Sequence, residues 1–273
     1  MRKLAIQEDM LPGKSAHERL SNAKRLNLSG VEFWADGLTD RVPEIADALQ
    51  QTGISACGVN LGRLDGYLSA DWQTREDAIS AMRQAMANAV DLEAKYVSFI
   101  PHYGAPDMPD LTPYHSPIDL EKEMMIWLLR TVSDLAYALG TQLLMQPINR
   151  YETHFMNRVE QARYFRKKVK DHPHIKIAPN LFHMALEEDD INTTLTAHKD
   201  DIGVIYLSDS NCRLPGQGLI AFDAIGETLK AMEYDGWLVL ACGRPGQNHA
   251  MAYQYYDALP TCCEMLQKNS IVT

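Results

Sequence analysis

Short β-prone apolar runs alternate along the chain with longer stretches in which apolar residues recur every three or four positions. The runs are KLAIQ, GVEFW, ISACGVN, KYVSFI, QLLMQ, IKIAPN, IGVIYLS and GWLVLAC. Between them lie segments such as AHERLSNAKRLNLSG, REDAISAMRQAMANAVDLEA and LEKEMMIWLLRTVSDLAYALG, whose spacing predicts amphipathic helices. Gly30, Gly53, Gly140 and Gly236 stand where a helix is expected to stop before the next strand. Eight strand-plus-helix units, with no Ser/Gly-rich linker and no evident repeat, predict one α/β domain over residues 1–273, a (β/α)8 TIM barrel. A doubly wound open sheet is the competing arrangement, but no Gly-rich dinucleotide fingerprint follows KLAIQ.

Composition narrows this further. At 273 residues and 46% apolar content the chain can bury a substantial single core. A formal net charge of −10 leaves no basic patch to follow a phosphate backbone, so nucleic acid is not an expected partner. RKLAIQEDMLPG after Met1 is too short in apolar residues for a signal-peptide core, and no stretch nears the roughly 20 apolar residues of a membrane span. A cytoplasmic protein with no membrane partner is expected. The cysteines, Cys57, Cys212, Cys242, Cys262 and Cys263, show no paired metal spacing and are read as idle thiols.

In a parallel barrel the side chains at the C-terminal strand ends converge on one mouth. That gathers Gln7, Glu8, Glu32, Trp34, Asn60, His102, Gln146, Arg150, Glu152, Asn180, His183, Tyr206, Ser208, Asp209 and Ala241. So polar a set suits a polar small molecule. HYGAPDMPDLTPYHSPID and DSNCRLPGQGLIAF are long enough to act as lids over it.

Three stretches, LLMQPINRYETHFMNR, IKIAPNLFHMALEEDDI and IGVIYLSDSNCRLPGQGLIAFDAIGETLKAMEYDGWLVLAC, resemble the later strands of the xylose isomerase-like TIM barrels, the sugar isomerase and epimerase family that includes tagatose and psicose 3-epimerases. The resemblance implies a divalent ion held by a Glu, an Asp, a His and a second Glu, the two glutamates moving protons beside a sugar carbonyl. In this chain those places fall on Gln146, Asn180, Tyr206 and Ala241. Two amides, a phenol and a methyl bring no formal charge to offset the lost hydration of a hard cation. The expectation is therefore no metal and no other cofactor, and neither of the usual proton-transfer carboxylates. Neutral amides also avoid the repulsion of two facing carboxylates without a cation.

Other family positions are retained. The resemblance makes Glu152 and His183 the candidate catalytic groups, with Gln146, Asn180, Tyr206, Arg213, His102 and Trp34 as candidate contacts to a small carbohydrate or polyol. Arg213 is a candidate to replace the arginine that in many relatives stands where this chain has Cys212. Alternatives stay open: Glu152 paired with Arg150, His183 as a packing residue, Tyr103 and Trp34 as wall or ligand platform. EEDD at 187–190 reads as a solvated helix start, and RPGQNHAMAYQYY as loop and final-helix surface. Two functions survive, a metal-independent isomerase or epimerase and a non-catalytic carbohydrate-binding pseudoenzyme, with a homo-oligomer or a hetero-oligomer with a catalytic paralogue as the implied assemblies. A DNA endonuclease on the same barrel is set aside on charge and on the metal ligands it needs.

Overall fold

The computed structural model describes residues 2–243 and 255–272. Eight strands form one parallel sheet: β1 (Lys3–Gln7), β2 (Gly30–Trp34), β3 (Ser55–Asn60), β4 (Tyr96–Phe99), β5 (Gln142–Met145), β6 (Ile175–Ile177), β7 (Val204–Leu207) and β8 (Trp237–Leu240). Neighbours run β6-β5-β4-β3-β2-β1-β8-β7. Parallel bridges Ile177↔Ile202 and Asn180↔Tyr206 join the two edges, so the sheet closes into a barrel. All eight apolar runs become strands because a barrel strand is covered on both faces, by helices outside and by its own filling inside.

Helices α1 (Ala16–Arg25), α2 (Leu38–Thr52), α3 (Trp72–Asp91), α4 (Pro117–Leu139), α5 (Val159–Lys168), α6 (Leu181–Glu187), α7 (Ile191–Ala197), α8 (Phe222–Ala231) and α9 (Leu259–Lys268) follow the strands. Ser15, Asp71, Ser116, Asn180 and Asp190 cap the N-termini of α1, α3, α4, α6 and α7 through their side chains. Gly53 and Gly140 end α2 and α4 in the left-handed conformation, as expected. Gly30 and Gly236 do not: Gly30 lies inside β2, and α1 and α8 end at Leu26 and Met232 before Asn27 and Glu233 take the positive φ.

The large core fills the space between strands and helices, and a smaller one fills the barrel: Ala5, Cys57, Tyr96, Leu144, Ala178, Val204, Tyr206, Val239 and Ala241. Because strand side chains alternate, residues two further along several strands continue this inner set toward the mouth and turn polar, as Gln7 after Ala5, Ser98 after Tyr96, Gln146 after Leu144 and Asn180 after Ala178. The register shift between Val31 and Glu32 sets Cys57 and Gly58 against β2. A Cβ at Gly58 would collide with the Tyr96 ring, so the glycine is what lets that ring into the barrel. Cys57, Cys242, Cys262 and Cys263 are buried thiols. Among the described residues no helix is long and apolar enough to cross a membrane.

Candidate functional site

A cavity of about 810 Å³ opens at the C-terminal ends of the strands. Six amide side chains line it: Gln7, Asn60, Gln146, Asn149, Asn180 and Asn211. Trp34, Tyr103, Tyr151 and Phe182 supply aromatic wall, while Arg63 and Glu152 bring the formal charges. Of the residues expected to serve a ligand, Trp34, Gln146, Glu152, Asn180 and His183 line this cavity. Tyr206, Arg213 and His102 are not among its lining.

Tyr206 stands beneath the floor, fully buried. Its phenol donates to Glu32 Oε1 at 2.6 Å and, having only one proton, accepts from Ser98 Oγ at 2.7 Å and Asn60 Nδ2 at 3.3 Å. Glu32 collects three further donors: Tyr96 Oη at 2.9 Å, Gln7 Nε2 at 2.9 Å and Asn60 Nδ2 at 3.1 Å. Burial pushes this carboxyl above its usual range, against the pull of those four hydrogen bonds. Four donors on two oxygens suit the ionised form and leave no lone pair facing a ligand. The phenol is long enough to reach inward to Glu32, which turns it from the mouth into the barrel filling.

At the other positions where the resemblance implies metal ligands, the side chains are equally neutral. Asn180 Oδ1 accepts from Phe182 N at 3.0 Å and Ser208 Oγ at 2.9 Å, because Asn180 also caps α6. Ala241 presents a methyl group to the cavity, and Gln146 faces it with no side-chain hydrogen bond among the described residues. With the phenol committed to Glu32 and the Asn180 oxygen to a helix cap, these four side chains do not fit a hard divalent ion.

His183 is buried in the first turn of α6, and its Nδ1 accepts from Asn149 N at 3.1 Å and lies 2.8 Å from Asn149 Nδ2. Burial drives its pKa down to about 4, with Glu187 pulling weakly the other way. The ring is neutral at pH 7, and since Nδ1 accepts, the proton sits on Nε2. His183 therefore offers a ligand a donor and not a base. Glu152, a third exposed, has Oε2 3.6 Å from Arg63 Nη1 and Oε1 3.5 Å from Asn149 Nδ2. The Arg63 guanidinium also lies 4.5 Å from the Tyr103 ring centroid, a cation–π stack. Arg63 has no signal in the strand pattern, since it follows the turn at Gly62 after β3.

Arg150 does not pair with Glu152. Its guanidinium clasps Glu187 at 2.8 to 3.1 Å, tying the loop after β5 to the end of α6. The run at 187–190 is thus a helix junction and not one solvated start: Glu188 Oε1 accepts from Val159 N at 2.8 Å, Asp189 reaches Arg158, and Asp190 caps α7. Asp209 is fully buried, accepting from Ser210, Gly216 and Ile220 N–H at 2.7, 2.9 and 3.1 Å. The loop after β7 is therefore pinned from below, and its Asn211 and Cys212 form a fixed edge of the cavity. Arg213 serves that loop through its backbone, donating to Asn211 Oδ1 and accepting from Asp209 N. Most of RPGQNHAMAYQYY, residues 244–254, lies outside the described residues.

His102 is buried behind the mouth, in company that its sequence context does not announce: Glu121 of α4 and His154 of the loop after β5.

The family profile described as xylose isomerase-like TIM barrel matches residues 20–259. The curated 3-dehydro-D-guloside 4-epimerase of Escherichia coli is 24% identical over 257 residues, 92% of this chain and 96% of that protein. Among solved structures, the apo form of the E. coli 3-keto-D-glucoside 4-epimerase superposes with a TM-score of 0.83 at 24% identity, covering 96% of this chain and 100% of the other. A D-psicose 3-epimerase from Clostridium cellulolyticum, crystallised with D-tagatose, gives 0.81 at 20% identity and covers 98% of both chains.

Proposed function

The chain belongs to the xylose isomerase-like TIM barrel family, and on that footing we propose that its mouth takes a small carbohydrate or polyol and that any isomerase- or epimerase-type proton transfer there runs without the family's divalent ion. The cavity lining carries the reading. Among six lining amides, Gln146 keeps its whole side-chain amide, Gln7 its oxygen and Asn180 its nitrogen for a guest, and with aromatic faces beside them these match a ring of hydroxyls better than a charged or apolar guest. The full-length likeness to epimerases acting on keto-sugars supports the same ligand class.

The residues divide the work by their protonation. Glu152 is the carboxylate of the described lining and is the group that takes or returns a proton. Arg63 beside it stabilises the carboxylate and any negative charge that develops on the ligand. His183 Nε2–H and the free amide of Gln146 donate to ligand oxygens and hold the carbonyl in place. A cytoplasmic location, one domain across residues 1–273 and a homo-oligomer, or a pairing with a catalytic paralogue, belong to this reading.

The absence of a carboxylate at all four strand-end positions favours a second reading, a carbohydrate-binding protein that does no chemistry. Solvent deuterium exchange into a panel of ketoses, inososes and keto-glycosides, run with excess chelator and read by mass spectrometry, separates the two. Chelator-insensitive exchange that disappears in Glu152→Gln is the expected result. Binding of panel members by calorimetry with no exchange in the wild type establishes the non-catalytic protein, and neither binding nor exchange rejects the carbohydrate pocket altogether.

A further inference from the structure

Behind the rim of the mouth three metal-ligating side chains from three different segments meet. His102 follows β4, Glu121 lies in the first turns of α4, and His154 lies in the loop after β5. Their ligand atoms all lie within 4.8 Å of one another. Glu121 is fully buried and His102 is 5% exposed. His154 Nε2 is 2.5 Å from Glu121 Oε2, and its Nδ1 is anchored 2.9 Å from the Gly104 carbonyl. The two imidazoles meet edge to face at 4.8 Å.

His102 is the anomaly. Its Nδ1 is buried with no hydrogen-bond partner, and its Nε2 is aimed at Glu121 Oε1 from 3.9 Å, too far to bond. A buried imidazole nitrogen without a partner carries a desolvation cost that a bound group would restore. Asp107 N donates to Glu121 Oε1 at 3.2 Å and holds that carboxylate beside the two imidazoles.

We propose that His102, Glu121 and His154 form a binding site for a divalent first-row transition ion of the zinc type, separate from the mouth, which latches the loop after β4 to α4 and to the loop after β5. Two imidazoles and a carboxylate are a recognised zinc donor set that leaves a fourth position for water. Hard ions such as Mg²⁺ and Ca²⁺ prefer all-oxygen sites and are selected against by the two nitrogens. Ligand atoms of a tetrahedral zinc ion stand about 3.3 Å apart, from bond lengths near 2.0–2.1 Å, so His154 and Glu121 move apart as their shared proton leaves while His102 moves in. These shifts fall on side chains whose backbones are already joined: Gly104 N donates to the Glu152 carbonyl at 2.7 Å, and His154 N donates to the Gly104 carbonyl at 3.2 Å. Tyr103 and Glu152 line the mouth one and two residues from ligands, so occupancy of the latch fixes the wall that holds Glu152.

Untagged protein stripped with chelator and exchanged into clean buffer is titrated with Zn²⁺ by calorimetry and with Co²⁺ by visible absorption. One zinc ion per chain is expected, with cobalt giving the strong d–d bands of a four- or five-coordinate ion and affinity falling as acid protonates the imidazoles. Outer partners of metal ligands are worth 10–100-fold in affinity, so His102→Ala and Glu121→Gln should each weaken binding by at least about 100-fold. Gln146→Ala in the mouth and His172→Ala on the surface should leave it unchanged. His102→Ala breaks no hydrogen bond and is the deciding variant should Glu121→Gln fail to fold. No zinc binding in the wild type, binding untouched by His102→Ala, or binding lost equally in Gln146→Ala would each overturn the proposal.

Discussion

His183 shows how one buried side chain can tie ligand binding to stability. Its neutral ring accepts from Asn149 inside the fold and has a pKa of about 4, against about 6.5 for an unperturbed histidine. Between those values the unfolded chain binds a proton that the native state does not. The stability this residue contributes is therefore complete above pH 6.5, declines as pH falls, and is fully lost near pH 4. The span is worth roughly 3 kcal/mol. Chemical denaturation across pH 4 to 7 should show that slope in the wild type and a flatter profile in His183→Gln, whose amide does not titrate. A variant profile parallel to that of the wild type would show that other groups carry the acid sensitivity.

Among the elements, the loop after β7 is decided by a single buried carboxylate. Burial alone would raise the Asp209 carboxyl, but backbone N–H groups at Ile220, Ser210, Gly218 and Gly216 hold it below the usual range. A Cβ at Gly218 would collide with that carboxylate, which explains a glycine there without appeal to a turn. Asp209→Asn replaces an oxygen with an amide donor facing these donors, and should cost about 1–3 kcal/mol in a thermal melt. Because Asn211 and Cys212 border the cavity, ligand affinity should fall with it. A stable variant with weakened binding would separate the loop's placement from its contribution to folding.

For the molecule as a whole, the strand ends form one frame into which different chemistries can be set. Gln146→Glu, Asn180→Asp, Tyr206→His and Ala241→Glu together restore the donor set that the family resemblance implies. Built on His102→Ala so that the latch cannot contribute, this variant should gain Mn²⁺ affinity by calorimetry where His102→Ala alone shows none. It should also melt lower without metal, because losing the phenol strips Glu32 of its shortest donor. A folded variant that ignores Mn²⁺ would mean that the inner network, and not the four positions alone, excludes the ion.

The chain's own pattern determined eight strand-plus-helix units with both faces of every strand covered, and the missing dinucleotide fingerprint favoured the closed barrel over a doubly wound open sheet. It also placed Trp34, Gln146 and Asn180 at the mouth, because position at or just past a strand end is a local property that the run itself marks, while Glu152 and His183, in a loop and a helix turn, were singled out by the family resemblance. What a side chain does once there was decided by neighbours far away in sequence. Tyr206 turns inward because Glu32 and Ser98, 174 and 108 residues distant, receive it. Arg150 leaves Glu152 for Glu187, 37 residues on, and Arg63 takes its place. His102 joins Glu121 and His154 only because the ends of β4 and β5 lie side by side. Strand periodicity is written residue by residue, whereas hydrogen-bond partners and protonation depend on distance and burial, which exist only after the sheet has closed.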